Sequence, residues 1–266
     1  MKRPLPLRLA PAQMRTVLYY KFYRAHRDRY GELFSNASLQ FAPNFRMELS
    51  PHDEAHGEIA FTGFYELTLS RRIAADAQRG GLLVDVGANY GYFTLLWLAG
   101  AARNRTLIFE ASPANHAALS ANIARNHCDG RVKIQKVAVG RESGTARFSL
   151  GEPGQTGWGG IATAEGAAET VVPMTSLDET IAGDAIVDVL KIDVEGADTW
   201  VLQGAKKLLS ERRIRQIYFE QNHERMKALG VAQDEAAVFL RSVGYEPSIL
   251  AGEGSHIVEW QANPAT

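Results

Sequence analysis

Three kinds of residue in this chain are spaced to do chemistry: glycines in one tight turn, carboxylates that close apolar runs, and an imidazole beside one of them. The run Leu82-Leu83-Val84-Asp85-Val86 leads into the turn Gly87-Ala88-Asn89-Tyr90-Gly91, and Tyr92 to Ala102 is then mostly apolar. This reads as strand, turn and helix, where glycines let the backbone approach a nucleotide-like ligand at the strand's C-terminal end. The glycines are not spaced as G-x-G-x-x-G, which weighs against a dinucleotide. A second run, Thr106-Leu107-Ile108-Phe109, closes on Glu110, whose carboxylate can accept both hydroxyls of a ribose. An adenosine-type ligand is expected.

Further on, Asp193 closes the run that starts at Ile186, and Glu195 follows two residues later. Glu220 closes the run from Ile214, with Asn222 and His223 just beyond it. Neighbouring strands would gather these groups at one rim. There they could take a proton from a poor nucleophile such as a hydroxyl, with Glu220 or His223 as the base beside Asp193. The same oxygens, Asp193, Glu220 and Asn222, could instead hold a hard divalent cation such as magnesium. Each residue also has a plainer reading. Asp85 can cap loop amides, Glu195 can sit at a helix start, Glu220 can pair with Lys191 or an arginine, and His223 can be an ordinary loop histidine.

The elements that must position these residues follow from periodicity. Strands are expected at 82–86, 106–110, 132–137, 186–193, 214–220, 247–250 and 256–260. Helices are expected at 92–102, 113–126 and 197–210, and across 225–243 with a break at Gly230. Alternation of this kind predicts a mostly parallel sheet. The last two strands, joined by Ala251–Ser255, make a hairpin that should place one antiparallel strand at the sheet edge. Residues 1–80 read as a cap ahead of a main domain over 81–266. In the cap, Met14, Leu18, Phe22 and Ala25 recur at helical spacing, two short strands flank Pro43-Asn44, and Thr62 can start a helix running to about Gln78. Strand-like Thr145–Leu150 and Val171–Met174 enclose a glycine-rich stretch around Trp158, which reads as a substrate lid or as a surface excursion.

With these residues placed, the chain resembles the FkbM family of S-adenosylmethionine-dependent methyltransferases. The resemblance rests on Gly63-Phe64-Tyr65-Glu66, Asp85 through Gly91, Glu110-Ala111-Ser112-Pro113, Val137-Ala138-Val139-Gly140, Thr175-Ser176-Leu177-Asp178 and Lys191-Ile192-Asp193-Val194-Glu195-Gly196. It implies a class I methyltransferase fold, a Rossmann-like seven-stranded sheet with a terminal hairpin, that binds S-adenosylmethionine. It implies cofactor contacts from Glu66, Asp85, Gly87, Ala88, Asn89, Tyr90, Gly91, Glu110, Ala111, Ala138 and Asp193. It further implies O-methylation of a sugar, a glycan or a glycosylated natural product. Other small-molecule hydroxyls with metal assistance, or a non-catalytic cofactor-binding subunit, are the alternatives.

Composition narrows the field. With 45% hydrophobic and 22% charged residues the chain should fold, and a formal net charge of -1 offers nucleic acid no general attraction. Base methylation is further disfavoured, because the Asn/Asp-Pro-Pro-aromatic segment common to it is replaced by Asp193-Val194-Glu195-Gly196. Cys128 is the single cysteine, so it is expected to pack as a small apolar residue in a reducing, cytoplasmic setting. No apolar run approaches the roughly 20 residues of a membrane span. The basic N-terminus, from Lys2 and Arg3 to Arg29, reads as a solvated helix face or as a peripheral contact for anionic lipid. Oligomeric state is open.

Overall fold

The protein is described by a computed structural model over residues 2–151, 154–162 and 169–265. Helices α1 (Leu5–Leu9) and α2 (Ala12–Leu18) begin the cap. The path then winds through a π turn at Tyr19–Tyr23 and a 3-10 stretch at Arg24–Tyr30 into α3 (Gly31–Ser35). This corrects the single amphipathic helix expected here. The backbone kinks at His26 (φ -126°, ψ 17°), Met14 and Phe22 are exposed, and Tyr19 is the residue fully buried. The cause is an aromatic cluster: Tyr19, Tyr23, Tyr30 and Phe34 all pack around Phe61, and the widened turn brings Tyr19 inward.

Strands β1 (Ala37–Ser38) and β2 (Arg46–Met47) pair antiparallel across the Pro43-Asn44 turn. Helix α4 (Glu54–Thr62) follows, N-capped by the Asp53 side chain and closed by Gly63 at φ 93°. Thr62 therefore ends a helix instead of starting one; its hydroxyl donates back to the Glu58 carbonyl at 2.8 Å. Helix α5 (Leu67–Ala77) begins after Glu66, which is held at φ 43°.

The main sheet starts with β3 (Leu82–Val86), α6 (Tyr92–Gly100), β4 (Arg105–Phe109), α7 (Pro113–Arg125) and β5 (Val132–Gln135). The chain then leaves it to build a small second sheet from β6 (Ala138–Val139), β7 (Gly144–Ser149), β8 (Gly160–Ile161) and β9 (Glu169–Thr175). It returns through α8 (Leu177–Thr180), β10 (Val189–Ile192), α9 (Asp198–Gln203), α10 (Lys206–Ser210) and β11 (Ile217–Asn222). It closes with α11 (His223–Leu229), α12 (Glu235–Ser242), β12 (Tyr245–Ala251) and β13 (Ile257–Pro264). The helix expected over 197–210 is split near Gly204, where a side chain would meet the Gly140 carbonyl oxygen at 2.0 Å.

The seven main strands lie in the order β12-β13-β11-β10-β3-β4-β5. β13 runs antiparallel to both β11 and β12, so the reversed strand lies inside the sheet and not at the edge where the sequence placed it. Two features explain the choice. Val258 and Ala262 of β13 are buried, as an inner strand requires, while Pro247 of β12 has no N–H to offer a further strand. Strand alternation serves two apolar layers: Leu83, Ile108 and Val189 face α5, α6 and the cap, while Val84, Leu107 and Leu190 face α9, α10 and α12.

The cap is tied to α7 by two side-chain amides. Asn122 accepts from Glu48 N (2.7 Å) and donates to Glu48 O (3.2 Å) and Tyr90 O (3.1 Å). Asn126 accepts from Arg46 N (2.8 Å) and donates to Arg46 O (2.7 Å). No helix among the described residues is long and apolar enough to cross a membrane.

Candidate active site

The turn after β3 is held by what it passes. Gly87 N donates to Phe109 O at 2.9 Å, and a side chain at Gly87 (φ 75°) would meet the Asp193 carbonyl oxygen at 1.9 Å. Only glycine lets the ends of β3 and β10 come this close. Glu110, beyond β4, receives Asn89 N on one oxygen and Ser112 N on the other, both at 2.8 Å. Burial pushes this carboxyl from its ordinary 4.5 up to about 7, against the two amides that favour its charge. Each of its oxygens keeps a lone pair for a ligand hydroxyl.

Two cavities meet at this turn. A narrow one of about 60 Å³ lies against Glu110, Ala111 and Ala138, with Phe109 and Phe148 as apolar walls. A larger one of about 380 Å³ is lined by His56, Tyr65, Glu66, Tyr90, Trp158 and Glu220, among others. Gly87, Asn89, Gly157 and Asp193 line both. The described part of the glycine-rich stretch forms their common roof; residues 152–153 and 163–168 of the expected lid lie outside the described residues. Asp53 of the cap anchors the roof by accepting from Thr156 N (2.7 Å) and Thr156 Oγ1 (2.8 Å). Asn115 donates to Thr156 O (2.9 Å), and Arg225 to Trp158 O (2.6 Å).

One lysine faces a crowd of carboxyls. Lys191 Nζ lies 3.1 Å from Asp193 Oδ2 and 4.0 Å from Asp85 Oδ1. Burial alone would lower this lysine, but Asp193, Asp85 and Glu66 outweigh it and hold it above its ordinary value. Burial, then Asp193 and Glu66, pushes the Glu220 carboxyl up to about 11. Burial and then Asp193 raise Glu66 well above the usual carboxylate range and raise Glu259 as well. A protonated carboxyl donates a hydrogen bond, and a cation arriving here would favour the charged forms.

The structure sorts the residues expected from the sequence. Gly87, Ala88, Asn89, Tyr90 and Glu66 line the larger cavity, and Glu110, Ala111 and Ala138 the narrow one. Asp85 lines neither; it is buried behind the turn, where Thr94 Oγ1 donates to it at 2.7 Å. Gly91 lines neither and serves packing, since a side chain there (φ 88°) would strike Leu119. His223 is corrected. β11 continues to Asn222, two residues past Glu220, so His223 falls at the first position of α11 and lines neither cavity.

The imidazole that does line the larger cavity is His56, which the sequence reading missed. Its Nδ1 accepts from Ser50 N at 3.3 Å, and its ring centroid lies 4.1 Å from that of Tyr90. That bond assigns the proton of the neutral ring to Nε2, a buried donor with no partner among the described residues. Burial lowers the His56 pKa, with Asp53 opposing, which keeps the ring neutral. Asp53 and Glu259 were missed too. The one signal available for the pair in the cap was Asp53 as an N-cap three residues before His56.

The alternative metal set, Asp193, Glu220 and Asn222, is not assembled among the described residues. Asn222 accepts from Arg225 N (3.3 Å) and donates to Glu195 Oε2 (3.1 Å), so its amide is spent, and Lys191 already faces Asp193. Among the described residues no group of three or more His, Cys, Asp or Glu is placed to hold an ion. Glu195, raised to about 7 by burial and then by Asp193, is engaged with Asn222 and with Arg225 at 3.9 Å.

A glycine turn after the first strand of a mostly parallel seven-stranded sheet, with an acidic residue ending the next, defines a class I S-adenosylmethionine-dependent methyltransferase. The family model described as "Methyltransferase FkbM domain" matches residues 85–247, and the chain belongs to that family. No curated protein matches the chain. Among solved structures, an O-methyltransferase from Bacillus cereus in complex with S-adenosylhomocysteine is 12% identical, with TM-score 0.45 over 95% of this chain and 97% of that one. Precorrin-6y C5,15-methyltransferase from Geobacter metallireducens is 11% identical, with TM-score 0.45 over 74% and 88%. M. capricolum TrmK with S-adenosylhomocysteine is 9% identical, with TM-score 0.45 over 74% and 67%. At these scores the likenesses carry no argument about the acceptor.

Proposed function

We propose that the protein methylates a hydroxyl of a sugar, a glycan or a glycosylated natural product, with residues 1–80 as a cap over the catalytic domain, 81–266. One observation carries the reading: among the described residues Asp193 is the single carboxylate that lines both cavities, at the point where a cofactor and an acceptor would meet. The residues present fit the cofactor. Glu110 would hold the ribose, Ala111 and Ala138 the adenine side, and Gly87 to Tyr90 with Glu66 the amino-acid end. Asp85 would support the turn through Thr94. S-adenosylmethionine supplies a methyl group already activated on a sulfonium, so the protein's work is positioning and proton removal.

Lys191 donates to Asp193 Oδ2, which leaves the other oxygen of Asp193 to take the acceptor's proton. Glu220 holds its proton and donates to a neighbouring hydroxyl, as does Nε2–H of His56. A polyol suits such a wall of mixed donors and acceptors, and Tyr65, Tyr90 and Trp158 offer faces for the apolar side of a sugar ring. A volume of about 380 Å³ falls among small-molecule sites, which span roughly 300–1,000 Å³. The single cysteine accords with a cytoplasmic setting.

The test is turnover on a panel of glycoside acceptors beside calorimetric titration with S-adenosylhomocysteine. Asp193→Asn should lose about 100-fold or more in kcat and keep its cofactor affinity within about threefold. His56→Ala should raise KM more than it lowers kcat. Retained turnover in Asp193→Asn removes Asp193 from the chemistry, and a wild-type chain that binds no S-adenosylhomocysteine overturns the cofactor site.

A further inference from the structure

Residues 5–22 carry six of the twelve large apolar side chains exposed among the described residues: Leu5, Leu9, Met14, Val17, Tyr20 and Phe22. The other side of this arm is sealed to the body. Leu7 and Tyr19 are fully buried, and Ala12, Leu18 and Tyr23 pack on the same core. Arg3 donates to Ala60 O at 2.9 Å, and Arg15 donates to Gln40 at 2.9 Å. The arm is therefore a fixed element that leaves these six apolar residues unburied. Exposed cations lie among them, Lys2, Arg8, Lys21 and Arg29, while the exposed acids of residues 2–35 are Asp28 and Glu32.

Scattered surface apolar residues need no explanation, but a concentration of them beside a surplus of cations marks an interface. That sign selects the partner. Two copies meeting through this face about a two-fold axis would bring together two surfaces with the same surplus of cations. An anionic bilayer complements both the apolar residues and the cations, whose aliphatic stems can lie along the boundary.

We propose that residues 2–29 form a membrane-docking surface for anionic phospholipid. Leu5, Leu9, Met14, Val17 and Phe22 enter the acyl boundary, Tyr20 sits at headgroup level, and Lys2, Arg8, Lys21 and Arg29 meet the phosphates. The arm is also joined to the larger cavity. Arg24 and Arg27 both pair with Glu54 at 2.8 Å, and Glu54 lines that cavity as well as the open cleft formed by Tyr20, Arg24 and Arg27. Docking would bring the cavity mouth to the bilayer. This last consequence rests on the cavity being the acceptor site; the docking itself does not.

Co-sedimentation of the full chain with phosphatidylcholine vesicles, with and without phosphatidylglycerol, tests the proposal. Binding should require the anionic lipid and weaken with salt. It should fall about tenfold or more in a Leu9→Ser/Val17→Ser/Phe22→Ser variant and in an Arg8→Glu/Lys21→Glu variant. Both variants should titrate S-adenosylhomocysteine as wild type does, which shows that they are folded. Equal binding to neutral vesicles, or none to either, overturns the docking surface. So does a dimer seen by light scattering that the apolar variant dissociates, without vesicle binding. A chain that docks yet binds no S-adenosylhomocysteine overturns the methyl-transfer reading and leaves the docking surface standing.

Discussion

Burial of Glu110 and the ribose contact proposed for it would give this carboxyl opposite pH signatures in the free and bound protein. Its carboxyl titrates near 4.5 when unfolded and at about 7 when folded. Between those values the native state holds the extra proton, so the stability it contributes is complete below 4.5 and lost as pH rises through 7. Denaturant unfolding of the ligand-free chain should show that decline, and Glu110→Gln should flatten it. Cofactor affinity should run the other way, because protonation removes an acceptor needed by the ribose. Titration with S-adenosylhomocysteine should weaken as pH falls through about 7. A pH dependence of stability that is unchanged in Glu110→Gln would show that this carboxyl is charged throughout the range. The place of Glu110 beside the turn was legible in the sequence because it is set locally: one acidic residue closes an apolar run beside a glycine turn. His56 was not, because it enters the site from a helix whose only local mark is its cap.

The roof over the two cavities is a strap fastened to the cap at one carboxylate. Asp53 Oδ1 caps α4 through His56 N, while Oδ2 takes both donors of Thr156. Thr156→Val removes one of these bonds and leaves the helix cap intact. It should cost about 1 kcal/mol in stability and weaken S-adenosylhomocysteine binding, since Thr156 also lines the narrow cavity. Asp53→Ala removes the Thr156 N bond and the helix cap as well, and should cost about 2 kcal/mol more. Equal losses in the two variants would show that neither of those two bonds contributes. Among the elements, β3 and β4 were read from sequence almost to the residue, because a buried parallel strand is a continuous apolar run. The cap helix was misread because a π turn, set by packing around Phe61, displaced its buried face. The hairpin was placed one strand out, although Pro247 carried the clue to which strand could lie at the edge.

The matched region, 85–247, holds the cofactor turn and Glu110 but lacks both far walls of the larger cavity. Asp53, His56 and Glu66 come from before it, and Ile257 and Glu259 from after. That division explains why the reaction class could be read from sequence and the acceptor could not: the family match covers the turn and Glu110, whereas the larger cavity, where we place the acceptor, is walled from both ends of the chain. The cap nevertheless shares one apolar core with the sheet, from Leu7 and Phe61 to Leu83 and Trp97. Calorimetry should therefore give one unfolding transition with equal calorimetric and van't Hoff enthalpies, and a separate cap transition would contradict that. The amides of Asn122 and Asn126 carry this dependence into the order of folding. They act as a substitute neighbour strand for β2, and they lie 74 and 80 residues downstream of the backbone they serve. A growing chain makes the cap first but leaves it unfinished until α7 has emerged. Hydrogen exchange at the amides of Arg46 and Glu48 should therefore act as a clock for that event, staying fast in nascent chains that stop short of Asn122 and slowing once α7 is in place.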